Sequence, residues 1–378
     1  MTDIRQQSLE LHAAKRGKIR IQPTVDINTK EDLSLVYTPG VGAVCQAIAA
    51  DPSKVNELTW RGNTVAVVSD GTAVLGFGDI GPLASLPVLE GKSAIFKRFA
   101  DIDAIPIALA TKDVDAIVET IVNLAPSFGA IQLEDISAPR CFEIERKLME
   151  RLDIPVMHDD QHGTAIVILA GLMNAAKVVG KDFAALRVVM NGAGAAGIAT
   201  AKLLSVAGVK EIIMCDRQGA IYDGRDGLND EKKMVVSFTN LEKRAGSLAE
   251  MAAGADVLIG VSAAGAFTTD IIKSMGKDPI VFALANPVPE IMPEEAKTAG
   301  VAVLATGRSD FANQVNNALC YPGLFRGMLD HGVKQVTDAI KLKAAKAIAD
   351  SVASPTAAQI VPSIFDPGLH ERVAKSVV

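Results

Sequence analysis

The sequence predicts an α/β protein of two domains, the second of them a doubly wound parallel sheet. Three observations carry this expectation. Short β-branched runs alternate with helical patterns along most of the 378 residues, the order that builds parallel sheets covered by helices. Several of those runs are apolar at every position rather than at every second one, as strands buried on both faces require. The length exceeds what one ordinary core organises. Hydrophobic residues make up 49% of the chain and aromatic residues 4%, so the layers must close on aliphatic side chains.

In the first half, residues 1–20 have the pattern of a helix with Lys and Arg near its end, and a polar segment, Pro23 to Lys30, follows. Strands are expected at Thr64–Val68, in Ile105–Ala110, at Ala130–Glu134 and at Ile154–Met157. These runs are β-branched or aliphatic and end in turn residues. Asp113–Asn123 and Phe142–Arg151 have helical spacing between them. Thr164–Val179 reads as a long apolar helix with Gly180 as its C-cap. The domains are expected to divide near residue 160, as 1–160 and 161–378.

The second half is more regular. Strands are expected at Arg187–Asn191, Glu211–Cys215, Val257–Ile259, Ile280–Ala283 and Val301–Leu304, with a helix at Gly197–Ala207. Residues 340–354 and the tail are expected to form a closing helix and an extended segment. The loop Gly192-Ala193-Gly194-Ala195-Ala196-Gly197 lies between a strand and a helix. In that context Gly192 permits a tight turn, Gly194 lets the backbone approach a pyrophosphate, and Gly197 lets the helix pack close to the strand. The free N–H groups of the helix start would face phosphate. The second domain is therefore expected to be Rossmann-type and to bind a dinucleotide. Asp216 ends the next strand, about 24 residues after Gly192. Its carboxylate would accept from a ribose 2′-hydroxyl and favour NAD, while the adjacent Arg217 leaves NADP possible.

Composition narrows the partners. Lys and Arg number 38 against 44 Asp and Glu, a net charge of -6, and no basic run is present. Nucleic acid and anionic membrane are therefore not expected partners. The N-terminus is charged and lacks the apolar core of a secretory signal, and Thr164–Val179 carries Asn174 and Lys177, so a buried helix is expected rather than a membrane span. Cys45, Cys141, Cys215 and Cys320 form no C-x-x-C pair and are expected to be reduced core thiols of a cytoplasmic protein.

Chemistry concentrates at strand ends. Glu134-Asp135 and Asp159-Asp160 each follow an expected strand. Carboxylates gathered at the C-terminal edge of a sheet suit a hard cation, Mg²⁺ or Mn²⁺, although solvated turn residues or helix caps would look the same. Zinc would call on His158 and His162, four apart, but Gly163 follows at once and makes a regular helix across them uncertain. Tyr37, in VYTPGVG, would lie near the start of a helix opened by the Pro-Gly turn and is a candidate proton donor or acceptor. Lys92, in EGKSAIFKR, is a candidate base if desolvated, with Lys97 and Arg98 as competitors. A half-buried tyrosine and a surface lysine are the ordinary alternatives.

Taken together, these residues resemble the malic enzyme family. The segments VYTPGVG (36–42), VVSDGTAVLGFGDIGP (67–82), LEGKSAIFKRFADIDA (89–104), IQLEDI (131–136), MHDDQHGTA (157–165), NGAGAAGIA (191–199), FALANPVPE (282–290) and NNALCYPG (316–323) occur in the family's order. The length resembles the short bacterial form. The resemblance implies an NAD(P)-dependent enzyme that oxidatively decarboxylates malate to pyruvate, with an N-terminal catalytic domain, Mg²⁺ or Mn²⁺, and a homodimeric assembly. It implies Tyr37 as general acid and Lys92 as general base. Glu134, Asp135 and Asp160 would be metal ligands, with Asp159 beside them. Asn286 and Asn317 would contact substrate, Asn286 also lying near the cofactor. Gly192, Ala193, Gly194, Ala195, Gly197 and Asp216 would hold the dinucleotide. Ala73 stands where the long eukaryotic form has a substrate-binding arginine, so another group must meet that malate carboxylate. A different two-domain dehydrogenase would explain the glycine loop but not the acidic pairs, and a nucleotide-sensing regulator would leave Tyr37 and Lys92 without a role.

Overall fold

The computed structural model describes residues 3–378. The first sheet consists of β1 (Thr64–Ser69), β2 (Asp103–Ala108), β3 (Ala130–Leu133) and β4 (Val156–His158), in the order β2-β1-β3-β4. All its pairings are parallel. Parallel pairing demands crossover helices, and the chain supplies Pro82–Ala100, Val114–Leu124 and Arg140–Arg151. Asp113 caps the second of these by accepting from the Ala116 N–H, and Ile117, Val118 and Ile121 form its buried stripe. The strand order reverses between β1 and β3. A crevice opens at such a switch point, beyond the C-terminal strand ends.

The second sheet holds β5 (Arg187–Asn191), β6 (Glu211–Asp216), β7 (Gly219–Ala220), β8 (Val257–Gly260), β9 (Ile280–Ala283) and β10 (Val303–Thr306), in the order β10-β9-β8-β5-β6-β7. Every pairing is parallel except the short antiparallel β6–β7 ribbon. This is the Rossmann-type order, with its switch point between β5 and β8. β7 was not expected, because two residues carry no periodicity.

Between the sheets runs one helix, Asp159–Val179, which starts directly at the end of β4. The sequence suggested a start at Thr164. Gly163 does not interrupt the helix; it is required there, because a Cβ would lie 1.9 Å from Asp159 Oδ1 and 3.0 Å from Asn317 Cβ. Gly180 caps the helix in the left-handed conformation, as expected (φ 66°). Ile166 to Leu172 are buried in a core that reaches from Val65 and Phe96 of the first sheet's layer to Val188, Phe282 and Phe325.

The chain ends behave differently. None of the helices Ile4–Lys15, Lys30–Val36, Val41–Ala50 and Val55–Leu58 buries a residue, and Leu9, Leu35 and Trp60 are exposed. Cys45 lies there too, exposed, whereas Cys141, Cys215 and Cys320 are the buried free thiols the sequence suggested. The expected closing helix is Asp338–Asp350, but the tail is not extended. It finishes in the helix Leu369–Lys375, packed with Tyr321–His331 against Pro82–Ala100. Phe96 meets Tyr321 and Phe325 edge-on, with centroids 4.8 and 5.3 Å apart, so aromatic packing joins the helix Pro82–Ala100 to a helix more than 200 residues later. Phe96→Ala should cost about 3–5 kcal/mol of stability in equilibrium guanidinium unfolding; a loss below about 1 kcal/mol would show that this contact does not tie the C-terminal helices to the helix Pro82–Ala100.

Candidate active site

A cavity of about 440 Å³ lies where the C-terminal ends of the two sheets face each other. The first sheet contributes Ala73, Leu75 and Gly76 after β1, Glu134 and Asp135 after β3, and Asp160 after β4. The second contributes Ala196, Val261, Ser262, Leu284 to Asn286 and Gly307. Lys92, Asn316 and Asn317 complete the wall. The residues suggested at 92, 134, 135, 160, 286 and 317 thus meet in one space although they span most of the chain.

Glu134, Asp135 and Asp160 each offer an oxygen, all three within 4.8 Å of one another. The Asp135 N–H donates to Asp160 Oδ2 (2.8 Å), and Gln132 Nε2 donates to Glu134 Oε2 (2.8 Å). Asp135 sits in the left-handed region (φ 53°), a conformation that carries strain in a residue with a Cβ and is common at functional sites. Burial, reinforced by the neighbouring carboxylates, pushes Glu134 well above the usual carboxylate range although Lys92 opposes it. Burial and Asp160 push Asp135 up to about 7. Asp135 Oδ2 is buried and accepts nothing. This donor set of three hard oxygens, under-neutralised and with a spare acceptor, fits a divalent cation of the Mg²⁺ or Mn²⁺ type.

The two histidines do not converge as a zinc pair. His158 is buried with Nε2 3.1 Å from Asp160 Oδ2, and His162 Nε2 lies 3.0 Å from Glu145 Oε2. Burial alone would lower His158, but Asp160 outweighs it and raises the imidazole well above its ordinary value. The same imidazole overcomes the effect of burial on Asp160 and keeps that carboxyl below its ordinary value. Glu145 also accepts from the His158 N–H and Gln161 Nε2, so it anchors the turn that presents Asp159 and Asp160.

Lys92 lies on the helix Pro82–Ala100, with Nζ 2.5 Å from Asp159 Oδ2 and 3.0 Å from Glu134 Oε1. Burial pulls its pKa down, but Asp159 and Glu134 together outweigh it and leave the lysine well above its ordinary value. The sequence asked for a neutral amine, and these two carboxylates oppose it. Asp159 is fully buried and also accepts from Asn317 Nδ2 (2.7 Å), so it links Lys92 to Asn317 rather than joining the oxygen cluster. The competitors drop out: Lys97 pairs with Asp101 and Asp103, and Arg98 lies over the Phe99 ring.

Tyr37 does not reach this cavity. It caps the C-terminus of the helix Lys30–Val36, its carbonyl accepts from the Val41 N–H at the start of the next helix as the Pro-Gly turn suggested, and it is 66% exposed on the N-terminal arm. A different tyrosine, not singled out from sequence, is present. Tyr321 is fully buried, its ring lies 4.8 Å from Lys92 Nζ, and its hydroxyl has no partner. Its motif, NNALCYPG, was visible, but only packing shows that the ring backs the lysine. Glu290 was also missed. It is fully buried and accepts from the N–H groups of Ser262 and Ala285, fixing two loops of the cavity wall. Ala73 lines the cavity, and Lys92 is the only cation among its lining residues.

The glycine loop has the geometry its spacing suggested. Gly192 takes φ 126°, and a Cβ there would lie 2.6 Å from Val261 O. A Cβ on Gly197 would lie 2.0 Å from Gly192 O, whereas one on Gly194 would meet nothing within 4 Å, leaving that face open to a phosphate. The helix Ala195–Val206 starts at Ala195 with Gly194 as N-cap. Gly192 and Ala193 border a second cavity of about 600 Å³, which also holds Asp216, Arg217, Arg225 and Lys232. Asp216 is not a free acceptor: Arg225 Nη2 lies 2.5 Å and Lys232 Nζ 2.7 Å from its Oδ2. These cations outweigh burial and hold the carboxyl far below the usual range.

Comparison with known proteins agrees with this arrangement. The malic enzyme N-terminal domain matches residues 16–149, and the malic enzyme NAD binding domain matches residues 161–369. A bifunctional malic/malolactic enzyme of Bacillus subtilis (strain 168) is 53% identical over 99% of this chain and 92% of its own length. An NAD-dependent malic enzyme of Geobacillus stearothermophilus is 54% identical over 96% of this chain and 76% of its own. The crystal structure of an NAD-dependent malic enzyme from Thermotoga maritima superposes with a TM-score of 0.95 at 46% identity, covering 98% of both chains. With matches that span both sheets and the cavity between them, the chain belongs to the malic enzyme family.

Proposed function

We propose that the cavity between the sheets is where this malic enzyme oxidatively decarboxylates (S)-malate to pyruvate and CO₂ while a nicotinamide dinucleotide is reduced. The observation that carries this reading is the contact of Lys92 with Glu134 (3.0 Å), which places a lysine beside three converging carboxylates. Glu134, Asp135 and Asp160 would hold the divalent cation, which supplies Lewis-acid polarisation at the C2 oxygen, while the dinucleotide on the glycine loop supplies the hydride acceptor.

The chain's own groups do the rest. Once Glu134 has its charge committed to a cation, the balance at Lys92 moves toward its burial, which favours the neutral amine. Lys92 then takes the C2 hydroxyl proton as the hydride leaves, and Asp159 receives the ammonium. Asn286 and Asn317 orient the substrate through their amides. Loss of CO₂ from the 2-oxo acid leaves an enolate whose C2 oxygen takes the proton back from Lys92, giving enolpyruvate; Tyr37 then gives a proton to C3 while Lys92 takes the enol O–H proton, forming pyruvate. Because Tyr37 lies on an exposed arm, we place it at the cavity of a second copy in a homodimer. The apolar residues of that arm, and exposed Leu75, Phe77 and Leu83 near the cavity, support such an interface. We also place the division of the chain near residue 160 and the enzyme in the cytoplasm. The long apolar helix Asp159–Val179 spends most of its length in the core.

An initial-rate assay with malate and Mn²⁺ should give pyruvate and reduced dinucleotide in equal amounts; no turnover with NAD or NADP would sink the reading. Lys92→Ala should lower kcat by about 10²–10⁴-fold, the usual worth of a general base, while dinucleotide binding by fluorescence titration is kept. Tyr37→Phe should spare hydride transfer and slow ketonisation of added enolpyruvate, followed by proton NMR in deuterated buffer. Unchanged ketonisation would place the acid elsewhere. Asp135, held at about 7, must lose a proton to bind a cation. Mn²⁺ affinity should therefore weaken as the pH falls through about 7, and Asp135→Asn should flatten that dependence.

A further inference from the structure

At the end of β6, an acidic side chain that is free can accept from a ribose 2′-hydroxyl and repel a 2′-phosphate. Asp216 is not free to do either. Its Oδ1 accepts from the Gln218 N–H (2.9 Å) and Arg225 Nη1 (2.9 Å), and its Oδ2 from Arg225 Nη2 (2.5 Å) and Lys232 Nζ (2.7 Å). A carboxylate offers about four lone-pair sites, so these four donors leave none for a ribose. Its charge is also answered twice over. Arg217, Arg225 and Lys232 line the cavity against the single carboxylate of Asp216; three cations less one anion leave a local charge of +2.

The cations retain donors. The Arg225 side chain is 10% exposed, and its Nε–H is buried and donates to nothing. Its Nη1 is spent on Asp216 and on the Gly219 and Ala220 carbonyls, so what it offers a phosphate is the second N–H of Nη2 and its charge. Arg217 is exposed and makes no ion pair among the described residues. Lys232 spends one contact on Asp216 and keeps two of its three ammonium donors.

We infer that this cavity prefers the 2′-phosphorylated dinucleotide, NADP, over NAD, with Arg225, Lys232 and Arg217 meeting the 2′-phosphate. Asp216 acts as a positioning residue that holds Arg225 and Lys232 in place. The inference rests on the reading of this cavity as the adenosine end of the dinucleotide site, and it reverses the role that position 216 suggests in the sequence.

The test separates the two. Calorimetric titration of the full chain with 2′,5′-ADP and with 5′-AMP isolates the 2′-phosphate without any turnover. 2′,5′-ADP should bind roughly 10- to 100-fold tighter than 5′-AMP, the scale of charge-assisted hydrogen bonds, and raised salt should shrink the gap. Arg217→Gln, at an exposed position that the fold does not need, and Lys232→Gln should each narrow the gap while leaving 5′-AMP binding unchanged. The ratio of kcat/KM for NADP over NAD with malate should fall in parallel. Asp216→Asn should not weaken 5′-AMP. Equal or tighter binding of 5′-AMP, or a tenfold loss of 5′-AMP affinity in Asp216→Asn, overturns the preference alone. Failure of both nucleotides to bind while malate is still turned over overturns the assignment of the cavity and the preference with it.

Discussion

One electrostatic imbalance governs this site. Three carboxylates crowd together with Lys92 as the only cation in the cavity wall. At an effective dielectric near 20, two like charges within 4.8 Å repel by about 3 kcal/mol or more. Lys92 answers Glu134 and Asp159, and the His158 imidazole answers Asp160, which leaves four carboxylates facing two cationic groups. The cavity is therefore arranged for more positive charge than the chain provides, and a divalent cation is its chemical complement. The same imbalance couples the metal site to the base: whatever neutralises Glu134 also lowers the hold on the Lys92 proton.

The fold meets this need by aiming two switch points at each other. Each sheet gathers loops at its C-terminal edge, and the helix Asp159–Val179 fixes their separation. Its first turn presents Asp159 and Asp160, while its apolar body lies in the core that both sheets share. Aromatic contacts from Phe96 to Tyr321 and Phe325 then close the C-terminal helices over the back of the helix that carries Lys92. Stability and chemistry are linked here, since Tyr321 belongs to the aromatic cluster and also lies under the lysine.

Residues whose roles follow from covalent neighbours were legible. Glu134, Asp135 and Asp160 directly follow short apolar strands, so a sheet edge was implied by their position. Gly192, Gly194 and Gly197 were legible because strand, turn and helix fix their backbone demands. Residues whose roles depend on distant partners were not. Asp216 looked like a ribose acceptor until Arg225 and Lys232 came to it. Lys92 looked neutral until Asp159, 67 residues away, supplied its counter-charge. Gly163 looked like a helix break, and only the folded positions of the Asp159 carboxylate and of Asn317 show why glycine is needed.

The sequence by itself determined the α/β alternation, the glycine turn and the set of chemical groups, because strand periodicity and turn chemistry are local properties of the backbone. Tertiary structure alone decided which charges meet. It set Lys92 among carboxylates from two strand ends, saturated Asp216 with cations, and left Tyr37 outside the cavity of its own chain. Coulomb energies depend on distance through space and on burial, and neither is encoded in the spacing of residues along the chain.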